Sequence, residues 1–303
     1  MKRNSLGLIA IAIAIAVFLT VFLISPIVSV VYTAFSDGNG GLTLSHFFAF
    51  FEISLMRESF ANSLFVAGMT VLGATIIAIP LAYLTMRFQF RGAVLIQTLG
   101  VLPLVMPAFV GAAAMQLIFG RSGAVNLILM DLFGFSIPVM EGLSGIIFVE
   151  TLHYFPFILL NLSASLATID SSMEEAGQNL GASGWRLFRK IIFPLALPGY
   201  IAGASLVFIK VFDDLGTPLV LNVTNMLAPQ AYLRVTSIGI EDPIGYVICV
   251  ILVLFSIAAM GGSWWFVKRR DYALISRGGA QAPKRKLSSW QSVMAYGWII
   301  GVL

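Results

Sequence analysis

The sequence predicts an all-α membrane protein of six membrane-crossing helices, with the start of a further, seventh helix near its end. Three observations lead there. Mean hydropathy is +0.95 and only 11% of residues are charged, where soluble domains carry about 25%. Apolar runs recur at lengths that match a bilayer, and the basic residues gather at the ends of alternate runs.

A helix needs about 20 apolar residues to cross ~30 Å of hydrocarbon. Residues 6–34, 61–86, 92–119, 142–168, 199–221 and 243–267 reach that length. The first run far exceeds the roughly 7–15 residues of a signal-peptide core and has no clear small-x-small cleavage site after it, so it reads as a retained span. Pro26, Pro80, Pro103, Pro107 and Pro156 predict kinks within the spans, tolerated where neighbours re-satisfy the freed carbonyls. Between the third and fourth spans, "VNLILMDLFGF" is apolar enough to lie along the interface. The single cysteine, Cys249, excludes an intrachain disulfide and sits in an apolar run as packing. After the sixth span come a basic linker and "WQSVMAYGWIIGVL", too short to span. It reads as the beginning of a seventh helix, with a short tail as the alternative. The chain thus divides into a first span with its loop (1–57), a transmembrane domain (58–268) and a basic linker with an apolar segment (269–303).

Orientation follows from the bases. With the N-terminus in the cytoplasm, Lys2, Arg3, Arg87, Arg91, Arg186, Arg189, Lys190, Lys268, Arg269, Arg270, Arg277, Lys284, Arg285 and Lys286 fall inside, which is 14 of the 18 basic residues. The net charge of +4 therefore reflects topology and not nucleic-acid binding.

This orientation places "SSMEEAGQNLGASGWRLFRKIIFPLALPG", residues 171–199, on the inner side. Ser172 to Glu175 has the S-x-x-E form of a capping box. Met173, Ala176, Gly177 and Leu180 fall on one helical face opposite Glu174, Glu175, Gln178 and Asn179. Gly181 supplies a left-handed stop. A second short helix is predicted from Ser183, with Arg186, Arg189 and Lys190 on one side and Trp185 and Phe188 on another; Pro194 and Pro198 then redirect the chain. Two readings fit: an interfacial hairpin without a partner, or an element that docks a cytoplasmic protein.

Glu175-Ala176-Gly177, then Gly181, then Ile191-x-Phe193-Pro194 resembles the EAA signature, E-A-A-x3-G-x9-I-x-L-P, of type I ABC importer permeases. Gly177 stands for the second alanine and Phe193 for the leucine; the glycine lowers helix propensity by up to ~1 kcal/mol. The resemblance covers roughly residues 58–268. It implies a six-helix type I ABC transmembrane domain in a bacterial inner membrane, with Glu174, Glu175, Ala176, Gly177, Gly181, Ile191 and Pro194 forming the loop that couples to an ATPase. It also implies the partners: a cytoplasmic ABC ATPase dimer, a second permease half or subunit, and a periplasmic or lipid-anchored solute-binding protein. ATP and Mg would be used by the ATPase; this chain carries no G-x-x-x-x-G-K-[ST] loop and is expected to bind no cofactor itself.

Charges at bilayer depth are costly and usually face a bundle interior. "FIKVFDDLGTP" sets Lys210 three and four residues before Asp213 and Asp214, a spacing that allows an ion pair. Gly216 and Pro218 predict a helix break there, lining a pathway or locking the helix to a neighbour. Glu150 and His153 lie three apart in the fourth span, as a structural pair or a proton-sensitive one. No catalytic or metal-ligand constellation is present: the two histidines are unrelated in position, and neither H-E-x-x-H nor a serine elbow occurs. The region "DDLGTPLVL…APQAYLRV" resembles ferric-iron permeases, with aminophosphonate permeases similar. Paired carboxylates suit a hard cation such as Fe(III), and equally a polyamine. Against the ATP-driven importer stands an ion-coupled secondary transporter using the same intramembrane groups.

Overall fold

The computed structural model describes residues 3–38, 41–239, 242–269, 285–286, 292, 296–298 and 301. The first span is α1 (Arg3–Leu19) and α2 (Ser25–Phe35), joined by a π turn over Thr20–Ile24. The short α3 (Ser45–Glu52) leads into α4 (Ser54–Arg87). Next come α5 (Ala93–Val101), a 3-10 turn over Leu102–Val105, α6 (Ala108–Phe119) and α7 (Ala124–Phe133). Helix α8 (Gly142–Ala167) precedes the short α9 (Ser171–Asn179) and α10 (Gly184–Leu187). A second π turn, Phe188–Ile192, opens into α11 (Phe193–Phe212), followed by α12 (Gly216–Val220), α13 (Leu227–Ser237) and α14 (Pro243–Arg269). Two-residue strands β1 (Phe88–Gln89) and β2 (Arg285–Lys286) pair in parallel.

Among the described residues six stretches are long and apolar enough to cross a membrane: Gly7–Phe35, Ser54–Arg87, Ala108–Phe133, Gly142–Ala167, Gly184–Phe212 and Pro243–Arg269. Four agree with the spans expected from sequence; the other two differ for local reasons. The run 92–119 is not one helix, because Met106 is extended (φ −94, ψ 144) immediately before Pro107. A proline ring disfavours helical geometry in the residue before it. The fifth span starts well before residue 199, since α10, the π turn and α11 run on without redirection at Pro194 or Pro198. Pro194 lacks an N–H and its ring crowds a carbonyl in the preceding turn. The chain answers by widening that turn, with Phe193 N–H donating five residues back to Phe188 O. Ser25, also just before a proline, donates to Thr20 O in the same way. Pro80 and Pro156 lie inside continuous helices. The expected seventh helix lies largely outside the described residues.

Helices α4, α8 and α11 form the centre, with α14 and α13 against it. Leu81, Ile146, Phe155, Ile158, Leu159, Leu162 and Phe212 are fully buried there. Close approach of α11 to α8 depends on Gly199 and Gly203, a GxxxG spacing; a Cβ on Gly203 would stand 2.7 Å from Ile158 Cα. Small residues at this spacing are how helices approach in lipid, where burial of apolar surface gives little drive. The exterior keeps Leu72, Ile76, Leu117, Leu254 and Ile257 exposed, as hydrocarbon surroundings permit.

At the start of α4 a polar latch ties the loop before α13. Asn62 Nδ2 donates to Asn225 O (2.9 Å), Asn225 Nδ2 to Glu58 Oε1 (2.7 Å), and Leu227 N–H to Ser63 Oγ (2.9 Å). The opposite end, where α4 and α8 finish, carries α9.

Candidate functional site

Helix α9 is punctuated at both ends. Its N-cap is Asp170, whose Oδ1 accepts from Ser172 N–H at 2.9 Å. The expected capping box on Ser172 does not form, because the helix already begins at Ser171 and the carboxylate takes the first-turn amide. The C-terminus follows the sequence reading: Gly181 is left-handed (φ 82). Ala182 N–H donates to Gly177 O (3.0 Å) and Gly181 N–H to Gln178 O (2.8 Å), the paired bonds of a Schellman stop.

The buried face of α9 is not the apolar one expected. Glu174 and Gly177 point inward, while Met173, Glu175, Ala176 and Leu180 are exposed, Leu180 at 89%. The reason is Arg87, the last residue of α4. Its Nη2 lies 2.7 Å from Glu174 Oε1, with side-chain exposures of 7% and 5%, and also donates to Leu166 O in the last turn of α8 (3.1 Å). One guanidinium thus joins the ends of two spanning helices to α9. Desolvating a lone carboxylate there would be prohibitive; an ion-paired partner makes the inward turn feasible.

Gly177, the departure from the family alanine, now has a packing reason. A Cβ there would meet the Ile191 side chain and stand 3.0 Å from Leu187 Cδ1. Ile191 and Leu187 therefore seat α9 against the π turn. Phe188 continues the contact: its ring lies edge-on to Tyr83 of α4 at 4.8 Å and stacks on the exposed Trp185 at 5.2 Å. Helix α10 starts after Ser183 as expected, and Arg186, Arg189 and Lys190 are exposed.

The intramembrane candidates separate into two groups. Helix α11 ends at Phe212, so the expected break at the acids is present. Asp214 caps α12, accepting from Gly216 N–H (3.2 Å) and Thr217 N–H (3.1 Å). Its carboxyl also lies near that of Glu150, which is fully buried in α8, and its charge acts on His153. Asp213 turns away, accepting from Ser256 Oγ of α14 at 3.1 Å. Lys210 is exposed and, among the described residues, closes no salt bridge with either acid. The expected Lys210–Asp pair gives way because the helix stops between them and Asp214 is taken by amides. Glu150, His153 and Asp214 thus converge, and the adjacent aspartates diverge.

Two broken elements meet at this cluster. Gly216 packs on Phe109 at the start of α6, where a Cβ would stand 3.0 Å from Phe109 Cβ. A cavity of about 290 Å³, lined by Leu102, Pro103, Met106, Gly111, Met115 and His153, opens beside the break at Met106–Pro107. Among the described residues no group of three or more His, Cys, Asp or Glu side chains could hold a metal ion.

Sequence reasoning missed Arg87, counted only as an inner-side base, because its partner is 87 residues away. It also missed Asn126 of α7, which donates to Phe119, Gly120 and Ile137 carbonyls and accepts from Ile137 N–H, tying that hairpin together. A lone polar residue at the start of an apolar helix was the available signal.

Residues 72–271 match the family of binding-protein-dependent transport system inner membrane components. The chain is 28% identical over 257 residues to a putative ferric transport system permease protein of Haemophilus influenzae, covering 84% of this chain and 40% of that protein. A ferric transport system permease protein of Actinobacillus pleuropneumoniae is 27% identical over 285 residues, 92% of this chain and 41% of the relative. This chain therefore spans about two fifths of the length of those ferric relatives. The molybdenum transport system permease protein of Haemophilus influenzae is 32% identical over 217 residues, 70% of this chain and 93% of that one. In structure, a bacterial ABC transporter involved in alginate import superposes with a TM-score of 0.68 at 17% identity, covering 89% of this chain and 97% of the other. The glycine-stopped loop at 171–199, the six apolar stretches and this match agree: the chain belongs to the binding-protein-dependent transport system inner membrane component family.

Proposed function

We propose that this chain is the permease subunit of an ATP-driven importer, forming the pathway for a small solute delivered by an extracytoplasmic binding protein. The observation that carries the reading is α9: capped at both ends, anchored from within, and offering Met173, Glu175, Ala176, Leu180 and nearby Trp185 outward. Such a face fits a groove on a cytoplasmic ATPase dimer, which would use ATP and Mg. The charge distribution supports a multi-pass protein of a bacterial inner membrane with its N-terminus inside. A second permease half or subunit completes the pathway. Ferric iron is the favoured cargo, supported by the ferric relatives at 27–28% identity. Divergence of Asp213 and Asp214 argues that neither selects iron as a pair, leaving selection to the binding protein. Glu150, His153 and Asp214 are the groups proposed to line the route.

The test is uptake of radiolabelled ferric iron, presented on the binding protein, into vesicles holding the assembled transporter. Uptake should need ATP and the ATPase, and Gly181→Val should abolish it while the chain still inserts. Asp214→Asn removes the charge and keeps one of the two acceptor oxygens of the cap, and should lower uptake without loss of assembly. Uptake that survives ATPase deletion and collapses with an uncoupler would favour ion coupling and sink this reading.

A further inference from the structure

We propose that Arg87 is a positioning residue for coupling: it clamps α9 to the ends of α4 and α8, so that motion delivered to α9 enters both helices as one body. This rests on the reading of α9 as the ATPase-docking element. It also divides the labour of the two adjacent glutamates. Glu174 is committed inward, and Glu175 is left on the outer face for the partner.

Three contacts support the clamp. The Arg87–Glu174 pair is 2.7 Å long and almost fully buried, where a charge pair is screened little by salt. The same Arg87 Nη2 donates to Leu166 O, a carbonyl of the last turn of α8 that also accepts from Ile169 N–H at 3.4 Å. Tyr83, one turn earlier on α4, meets Phe188 of the π turn edge-on at 4.8 Å. The loop's other side is seated by Gly177 on Ile191 and Leu187. Both contacts come from one nitrogen, which carries two N–H groups. Helix α9 is therefore fixed to α4 and α8 by polar contacts and to α10 and the π turn that leads into α11 by apolar ones. A push on α9 has no slack to take up before reaching the three central helices.

The experiment uses the complete transporter in lipid vesicles. Spin labels at Gln178 on α9 and Gln89 beyond α4 report the distance between the two elements with and without ATP. In the parent protein the distance should be narrow and the same in both states. Arg87→Met should broaden it and reduce ATP-driven transport per ATP hydrolysed by about tenfold, with the ATPase still retained. Because a buried Glu174 without its partner could unfold the loop, Arg87→Met with Glu174→Leu is made alongside; apolar replacements of a buried pair are commonly tolerated. If that double variant keeps a narrow distance and normal coupling, the pair only neutralises buried charge and the proposal falls. Restored assembly with coupling still lost supports it. Should the parent chain retain no ATPase, the importer reading fails instead, and the distances measured without nucleotide still decide whether Arg87 holds α9.

Discussion

At the scale of single residues, position in the helix matters more than residue type. Ser172 and Asp170 are both good caps, and the structure uses the aspartate. Asp170→Ala should cost about 1 kcal/mol of local stability. Amide exchange in the first turn of α9 should quicken roughly fivefold, while Ser172→Ala leaves it unchanged; the reverse result would restore the capping box. Gly181 was legible because a left-handed stop follows from local sequence alone. Glu174 was not. Periodicity assigned it to the polar, outward face, and only a base from the end of a different helix turns it inward. Breaking that buried pair from one side carries a cost of about 3–5 kcal/mol, far above a surface ion pair.

Elements were legible in number and less so in their joints. Apolar length gave the spans, because a bilayer sets their minimum. Where they break depends on chemistry a residue or two wide: Met106 before Pro107, and Asp213 to Leu215 before α12. The second break was readable from Gly216 and Pro218. The first was read only as a kink, since nothing local separates a bent helix from a divided one. The α6–α7 hairpin depends on Asn126, whose amide group serves three carbonyls and one N–H. Asn126→Ala should destabilise the protein by about 1–3 kcal/mol, the penalty for orphaned buried polar groups. Thermal unfolding in detergent would register it, and an unchanged midpoint would show that water replaces the side chain.

For the whole molecule, the two ends of the bundle have different polar chemistry. One end is held by the Asn62–Asn225–Glu58 latch and the Arg234–Asp242 ion pair of 2.8 Å. The other has the Arg87 clamp and basic residues of which Lys268 and Arg269 sit over Trp264 and Trp265. Aromatic and basic groups together suit an interface facing anionic headgroups. With Cys249 replaced, a cysteine at Gln178 should react with an impermeant thiol reagent only in inverted vesicles. One at Thr224 should react only in intact cells. The opposite pattern would reverse the topology.

The two proline-linked π turns have unequal consequences for insertions and deletions. A π turn is in effect an α-helix holding one residue too many: losing that residue restores the α pitch, while losing a second rotates everything on its far side by about 100°. In Thr20–Ile24 the neighbouring side chains are exposed on every side, so such a deletion would turn an apolar rod within lipid and disturb little. In Phe188–Ile192 it would swing Trp185, Arg186 and the seat of α9 away from Tyr83 and Arg87. Of the two wide turns, one is a tolerant spacer and the other fixes the phase between the loop and the membrane helices.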